Sequence, residues 1–159
     1  MLEWPSLPVS SSPVPESQSI VARLPHRPPM RLVEDVLELV PGESARSRRV
    51  ARAGDWYFDG HFPDEPVIPA IILVELLAQT GGLAAADSAD GVGRALRVAA
   101  FSGFKFPSAA RPGAVLEATA RVVGRMGGII KIEGEVTADG VRVAIGGVVL
   151  ADAGPLPVA

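Results

Sequence analysis

The stretch Val67–Ala86 is apolar from end to end except for Glu75, Gln79 and Thr80. A run of this kind either crosses a membrane or is enclosed by its own fold. A carboxylate at a bilayer centre costs about 2.5–3.5 kcal/mol, so the sequence predicts a buried helix in a soluble fold. Pro66 and Pro69 mark its start, since proline is preorganised for the first helical position and lacks the donor orphaned there. Ile71, Ile72, Leu73, Val74, Leu76, Leu77 and Ala78 present apolar surface on every side, so other structure must wrap the helix. Gly81, Gly82, Ala84, Ala85 and Ala86 let that structure approach its second half closely.

The wrapping is legible as strands. Leu116, Ala118, Ala120 and Val122 alternate with Glu117, Thr119 and Arg121, the period-2 signature of a strand with one wet face. Gly127-Gly128 marks a hairpin turn, after which Ile130, Ile132, Gly134 and Val136 alternate with charged or polar residues. Asp139-Gly140 suits a type I′ turn, which needs φ > 0 at both central residues. Val141–Leu150 is nearly all apolar and reads as a central strand; Arg97–Phe106 is a further candidate. Upstream, Met30–Val50 is extended around Pro41-Gly42, a type II turn signal. The basic run Ser44–Ala53, with Arg46, Arg48, Arg49 and Arg52, reads as a solvated strand face. One buried helix among antiparallel strands predicts an α+β architecture, a sheet curled around a helix.

At 159 residues the chain has room for one domain. Residues 1–17 are rich in Pro and Ser and read as a flexible tail. Residues 18–159 form the domain, with Gln18–Leu24 as a short helical turn docked on it. A net charge of −3 and 5% aromatics argue against nucleic acid as a partner. With Cys 0 and His 2, neither a thiolate nucleophile nor a metal site built from protein ligands is expected. Met1-Leu2-Glu3-Trp4-Pro5 has no basic, apolar leader pattern, so a cytoplasmic protein without a membrane anchor is expected.

Two ionisable groups stand where bare structure would not place them. His61 lies in Gly60-His61-Phe62-Pro63, and Glu75 lies in mid-helix. Burial of that carboxyl is expected to raise its pKa and keep it able to donate a proton, while a neutral imidazole is a competent base. The backbone N–H groups of Ala70 and Ile71, in the first helical turn, have no intrahelical acceptor and could stabilise a developing oxyanion. Base, acid and oxyanion site together suit elimination of water from a 3-hydroxyacyl thioester. The plainer alternative is a structural histidine, with Glu75 bonded to Gln79 one turn on.

Leu24-Pro25-His26-Arg27-Pro28-Pro29-Met30, Gly60-His61-Phe62-Pro63, Pro66-Val67-Ile68-Pro69 and Leu73-Val74-Glu75-Leu76-Leu77-Ala78-Gln79 resemble, in order and spacing, the motifs of the 3-hydroxyacyl-acyl-carrier-protein dehydratase (FabZ) family. Phe104-Lys105-Phe106 and Arg111-Pro112-Gly113 are similar to its weaker downstream signature. The resemblance implies a hotdog fold, with the helix as sausage and the sheet as bun. It implies a homodimer, with further assembly to a trimer of dimers left open, His61 as base, and Glu75 of the partner subunit as acid. Phe62, Pro69, Gln79, Phe101 and Phe104 would then contact substrate carried on the phosphopantetheine arm of an acyl carrier protein, with no metal or redox cofactor. Arg94, Arg97, Lys105 and Arg111 are candidates for meeting the acidic carrier. The chain departs from the family at Ala70, where Gly is usual, at Asp64-Glu65, and at Pro107-Ser108 in place of a basic pair. An acyl thioesterase using Glu75 to activate water, or a non-catalytic acyl-binding subunit, are the alternatives.

Overall fold

The computed structural model describes residues 12–86 and 94–155. Their order is α1 (Ser17–Val21), β1 (Asp35–Val40), β2 (Ser44–Val50), a 3₁₀ turn (Trp56–Phe58), α2 (Ala70–Ala85), β3 (Arg94–Lys105), β4 (Val115–Met126), β5 (Ile129–Ala138) and β6 (Val141–Pro155). The strands form one 6-stranded antiparallel sheet in the order β1-β2-β4-β5-β6-β3. The sheet packs on α2, of which only Ala70, Ile71, Glu75 and Gly82 escape burial. This is the hotdog arrangement that the resemblance implies. No helix among the described residues is long and apolar enough to cross a membrane.

The alternation in β4 and β5 puts Leu116, Ala118, Ala120, Ile130, Ile132 and Val136 into the core. Gly134 is what lets α2 sit so close: a Cβ there would fall 2.2 Å from the Thr119 carbonyl oxygen and 2.6 Å from Leu77 Cδ1. Small residues on the sheet thus set the depth of the groove that holds the helix. The β5–β6 turn has the expected left-handed pair, Asp139 at φ 48° and Gly140 at φ 82°. Pro69 falls one position earlier than expected, as the N-cap of α2.

Two expectations need correction. The basic run on β2 is not a solvated face: Arg46 and Arg49 are 7% and 8% exposed. Arg46 bridges Glu38 at 3.2 Å and Glu117 at 3.1 Å, and Arg49 meets Asp55 at 2.9 Å and Glu34 at 3.4 Å. The reason is topological. β2 is an interior strand, so its long side chains run between carboxylates that flank it, and a buried charge persists only when paired. The second concerns the tail drawn to residue 17. Residues 1–11 lie outside the described residues, but Val14 N–H donates to the Val36 carbonyl at 2.9 Å and Ser17 Oγ accepts from Val36 N–H at 2.8 Å. The chain is therefore tied to β1 before the expected boundary. Ile20, Val21 and Leu24 dock into the core as the helical turn predicts.

One edge of the sheet is unusual. Among the described residues β3 is paired only with β6, and along it Val98 and Phe101 are 38% and 50% exposed. A long apolar edge strand is a template for pairing with another chain unless something covers it.

Candidate active site

Glu75 sits mid-way along α2 and is half-buried, between helical neighbours that are fully enclosed. Its Oε1 accepts a hydrogen bond from Gln79 Nε2 at 2.9 Å and lies 3.3 Å from His26 Nε2. The carboxyl opens on a cavity of about 630 Å³ whose walls include His26, Gln79, Ala78, Gly82, Leu83, Leu96, Val98, Ile130 and Leu150. The lining mixes apolar side chains with polar and charged groups, Arg97, Arg125 and Asp152 among them, as in sites for amphipathic ligands.

The expected upward displacement of the Glu75 pKa is not what the single subunit produces. Burial does push it up and is the largest influence, but the hydrogen bonds from His26 and Gln79, with the charge of His26, together outweigh it and hold the carboxyl below its ordinary range. The acid thus rests ionised beside two donors that the mid-helix reading did not include.

His61 belongs to the loop that leads into α2. Tyr57 and Phe58 are buried and anchor the loop's start, and His61 N–H donates to the Phe58 carbonyl at 3.3 Å. Val67 N–H returns a bond to the His61 carbonyl at 3.0 Å, and Ile68 N–H bonds Ala110 O at 2.8 Å. The ring itself is oriented: Nδ1 lies 3.0 Å from the Val67 carbonyl oxygen. In the neutral imidazole that contact assigns the proton to Nδ1 and leaves Nε2 with the lone pair a base requires. Phe62 stacks on the ring with centroids 4.1 Å apart and is 54% exposed.

Ala70 and Ile71 are exposed at the start of α2, and no side chain caps the helix there. Ile72 N–H turns back to Pro69 O at 2.9 Å, leaving the two preceding amides at the positive end of the helix dipole. Pro69 is half-buried beside them.

His61 does not line the cavity that holds Glu75, so one chain does not assemble acid and base around a common space. The phenylalanines also lie apart from that cavity. Phe101, Phe104 and Phe106 form a ring cluster on and after β3, with Phe104 pressed over Gly146. Of the four candidate carrier contacts, Arg97 is exposed and lines the cavity, and Lys105 is exposed. Arg111 is bound to Glu65 at 2.8 Å. Arg94 opens β3, and its side chain lies outside the described residues.

Gln79 lines the cavity and also has a task within the fold. It is 2% exposed, and both ends of its amide are used by the protein. Oε1 accepts from Leu32 N–H at 2.9 Å and Val33 N–H at 3.4 Å, while Nε2 donates to Met30 O at 2.7 Å as well as to Glu75. Gln79 therefore fastens the loop before β1 to the helix and orients the acid. The residue that sequence reasoning left without a role is His26. Its signal was present, since it is the other histidine of the chain and lies inside the Leu24–Met30 motif.

A long helix seated in an antiparallel sheet, with a mid-helix carboxyl facing a cavity, places the chain in the hotdog class. The chain belongs to the FabA-like domain family, whose model matches residues 24–146. It is 37% identical over 129 residues to the 3-hydroxyacyl-acyl-carrier-protein dehydratase FabZ of Roseiflexus sp. (strain RS-1), covering 77% of this chain and 90% of that one. The dehydratase of the same name from Herpetosiphon aurantiacus is 34% identical over 134 residues, 84% of this chain and 95% of the relative. Among solved structures, the dehydratase heterocomplex ApeI:P from Xenorhabdus doucetiae aligns with a TM-score of 0.63 at 21% identity, over 83% of this chain and 90% of that chain. A hypothetical thioesterase with coenzyme A from Streptococcus pneumoniae aligns at 0.59 with 12% identity, covering 77% and 88%. At these identities the two solved structures speak to fold alone.

Proposed function

We propose that this protein is a 3-hydroxyacyl-acyl-carrier-protein dehydratase of fatty acid synthesis. It eliminates water from a 3-hydroxyacyl thioester to give the trans-2-enoyl thioester. The observation that carries the reading is Glu75, a carboxyl held by two donors on the wall of a cavity large enough for an acyl chain. Family membership and dehydratase relatives at 34–37% identity support it.

In the reaction His61 Nε2 removes the proton α to the thioester carbonyl. The electron pair moves onto the carbonyl oxygen, which the Ala70 and Ile71 amides stabilise. Collapse of this enolate expels the 3-hydroxyl, which takes a proton from Glu75 and leaves as water. The steps are proton transfers, so the reading invokes no metal or redox cofactor. Because His61 and Glu75 do not share a cavity in one chain, the working site takes them from two copies in a homodimer. The exposed edge of β3, at the rim of the Glu75 cavity, supports that assembly. The substrate arrives in the cytoplasm on an acyl carrier protein, with Arg97 and Lys105 the cations best placed to meet it.

The test is enoyl absorbance with a 3-hydroxyacyl carrier substrate. His61→Ala and Glu75→Gln should each lower turnover by about 10²-fold or more, the usual range for a positioned acid or base, with the oligomer intact. Near-native turnover in either variant, or release of free thiol without enoyl product, refutes the reading.

A further inference from the structure

Glu75 presents a conflict. As the acid it must carry a proton, yet its surroundings in the subunit favour the ionised form. We infer that His26 is the proton partner and positioning residue of Glu75, the two side chains sharing one proton across their 3.3 Å contact. This rests on the proposed dehydratase reading and specifies how its acid is supplied.

The geometry is built rather than incidental. Leu24 is buried, and Arg27 Nη1 donates to the carbonyls of Leu24 and His26 at 2.7 and 2.8 Å, closing the loop on itself. Gln79 then clamps the far end of the loop through Met30 O while holding Glu75 with the same amide nitrogen. His26 Nε2 is thus fixed opposite Oε1 by contacts on both sides. Its Nδ1 is buried with no hydrogen-bond partner among the described residues. Here His26 differs from His61, whose Nδ1 is committed to Val67. Since no bond at Nδ1 fixes the tautomer, the imidazolium–carboxylate and imidazole–carboxylic acid forms differ by one proton moving between Nε2 and Oε1.

The step balances. The His26 Nε2–H bond breaks and the Oε1–H bond of Glu75 forms, leaving the electron pair on Nε2. Glu75 then passes that proton to the departing hydroxyl, giving water and a carboxylate. His26, which lines the cavity and is 30% exposed in its side chain, takes a replacement proton from solvent. The proton taken by His61 is returned to solvent, so the net change is substrate to enoyl product plus water. The other charged groups around the cavity are Arg23 beyond α1, Arg97 on β3, Arg125 on β4 and Asp152 on β6. Arg125 Nη2 is bonded to the Ala85 carbonyl at 2.7 Å, directed to the end of α2 and away from its middle.

The experiment is the pH profile of kcat and KM for wild type and His26→Gln, whose amide can still donate toward Oε1 but cannot carry the proton. An imidazole holds its proton about two pH units higher than a carboxylate does, so losing the partner should move the alkaline limb of kcat at least about one unit toward acid, with KM changed less than about threefold. An unmoved limb, or one displaced toward alkali as expected if His26 acts on Glu75 only through its charge, overturns the inference. A second measurement needs no turnover. The His26 ring nitrogen signals in an NMR spectrum at fixed pH, assigned by their absence in His26→Gln, should be displaced by Glu75→Gln if the ring shares a proton with that carboxyl; unchanged signals overturn the inference. Absence of enoyl product from wild type at every pH would instead overturn the dehydratase reading, and the ring signals would still report on the pair.

Discussion

Gln79→Leu tests whether one amide both supports the fold and aims the acid. The substitution removes every polar atom and leaves an apolar side chain one bond shorter. Leu32 N–H, in a residue with 0% exposure, loses its 2.9 Å acceptor, and an orphaned buried donor costs about 1–3 kcal/mol. The Met30 carbonyl loses its 2.7 Å donor, but Met30 is 44% exposed and water can replace part of that bond. The bond to the Glu75 carboxylate adds little to stability, because that group is only half-buried. The sum is about 2–4 kcal/mol, a large share of the 5–15 kcal/mol typical of a domain. Urea unfolding at fixed pH and protein concentration reads this as a lower midpoint with an unchanged m-value. Turnover should fall as well, because Glu75 loses an orienting contact. A stability loss below about 0.5 kcal/mol, which is the scatter of ordinary surface substitutions, would show that the loop before β1 is held by something else.

Two further outcomes follow from buried or partly buried polar groups. Ser47 Oγ and Thr80 Oγ1, both 0% exposed, lie 2.7 Å apart, and Thr80 Oγ1 also donates to Leu76 O. Thr80→Val orphans the Ser47 hydroxyl and should cost about 1–3 kcal/mol, whereas Ser47→Ala/Thr80→Val should cost clearly less than the sum of the single changes; strict additivity in a denaturation cycle contradicts the pairing. Asp55 is the second case. Burial raises its pKa and is the largest influence, but hydrogen bonds from Tyr57, the Arg52 amide and Arg49 outweigh it, so the folded pKa lies below the ordinary value. Its contribution is therefore complete above the unfolded carboxylate pKa of about 3.9 and is lost as pH falls through the lower folded value. Asp55→Asn should lower stability at neutral pH and flatten its decline in acid, and an unchanged acid limb in pH-dependent unfolding would refute the assignment.

What could be read in advance was whatever depends on neighbours in the chain. Alternation in β4 and β5, the Asp139-Gly140 turn and the all-round apolar character of α2 are local patterns, and they predicted strands, hairpin and buried helix. Glu75 and His61 stood out for the same reason, each being polar in an apolar setting. What escaped was set by contacts across the fold. Arg46 and Arg49 looked solvated because Glu38, Glu117, Glu34 and Asp55 reach them from other elements. Glu75 was expected to be protonated because His26, far upstream, could not be placed beside it from spacing alone. Gln79 shows both sides: its bond to Glu75 one turn away was foreseeable, its clamp on residues 30–33 was not.

The strand that leaves its flank bare also forms part of the rim of the chamber around the acid, through Leu96, Arg97 and Val98. A neighbour that zips onto that flank must therefore settle the shape of the doorway in the same event. Association and admission of ligand become linked equilibria: whatever tightens one tightens the other. Dilution would then silence such a molecule before it unravels.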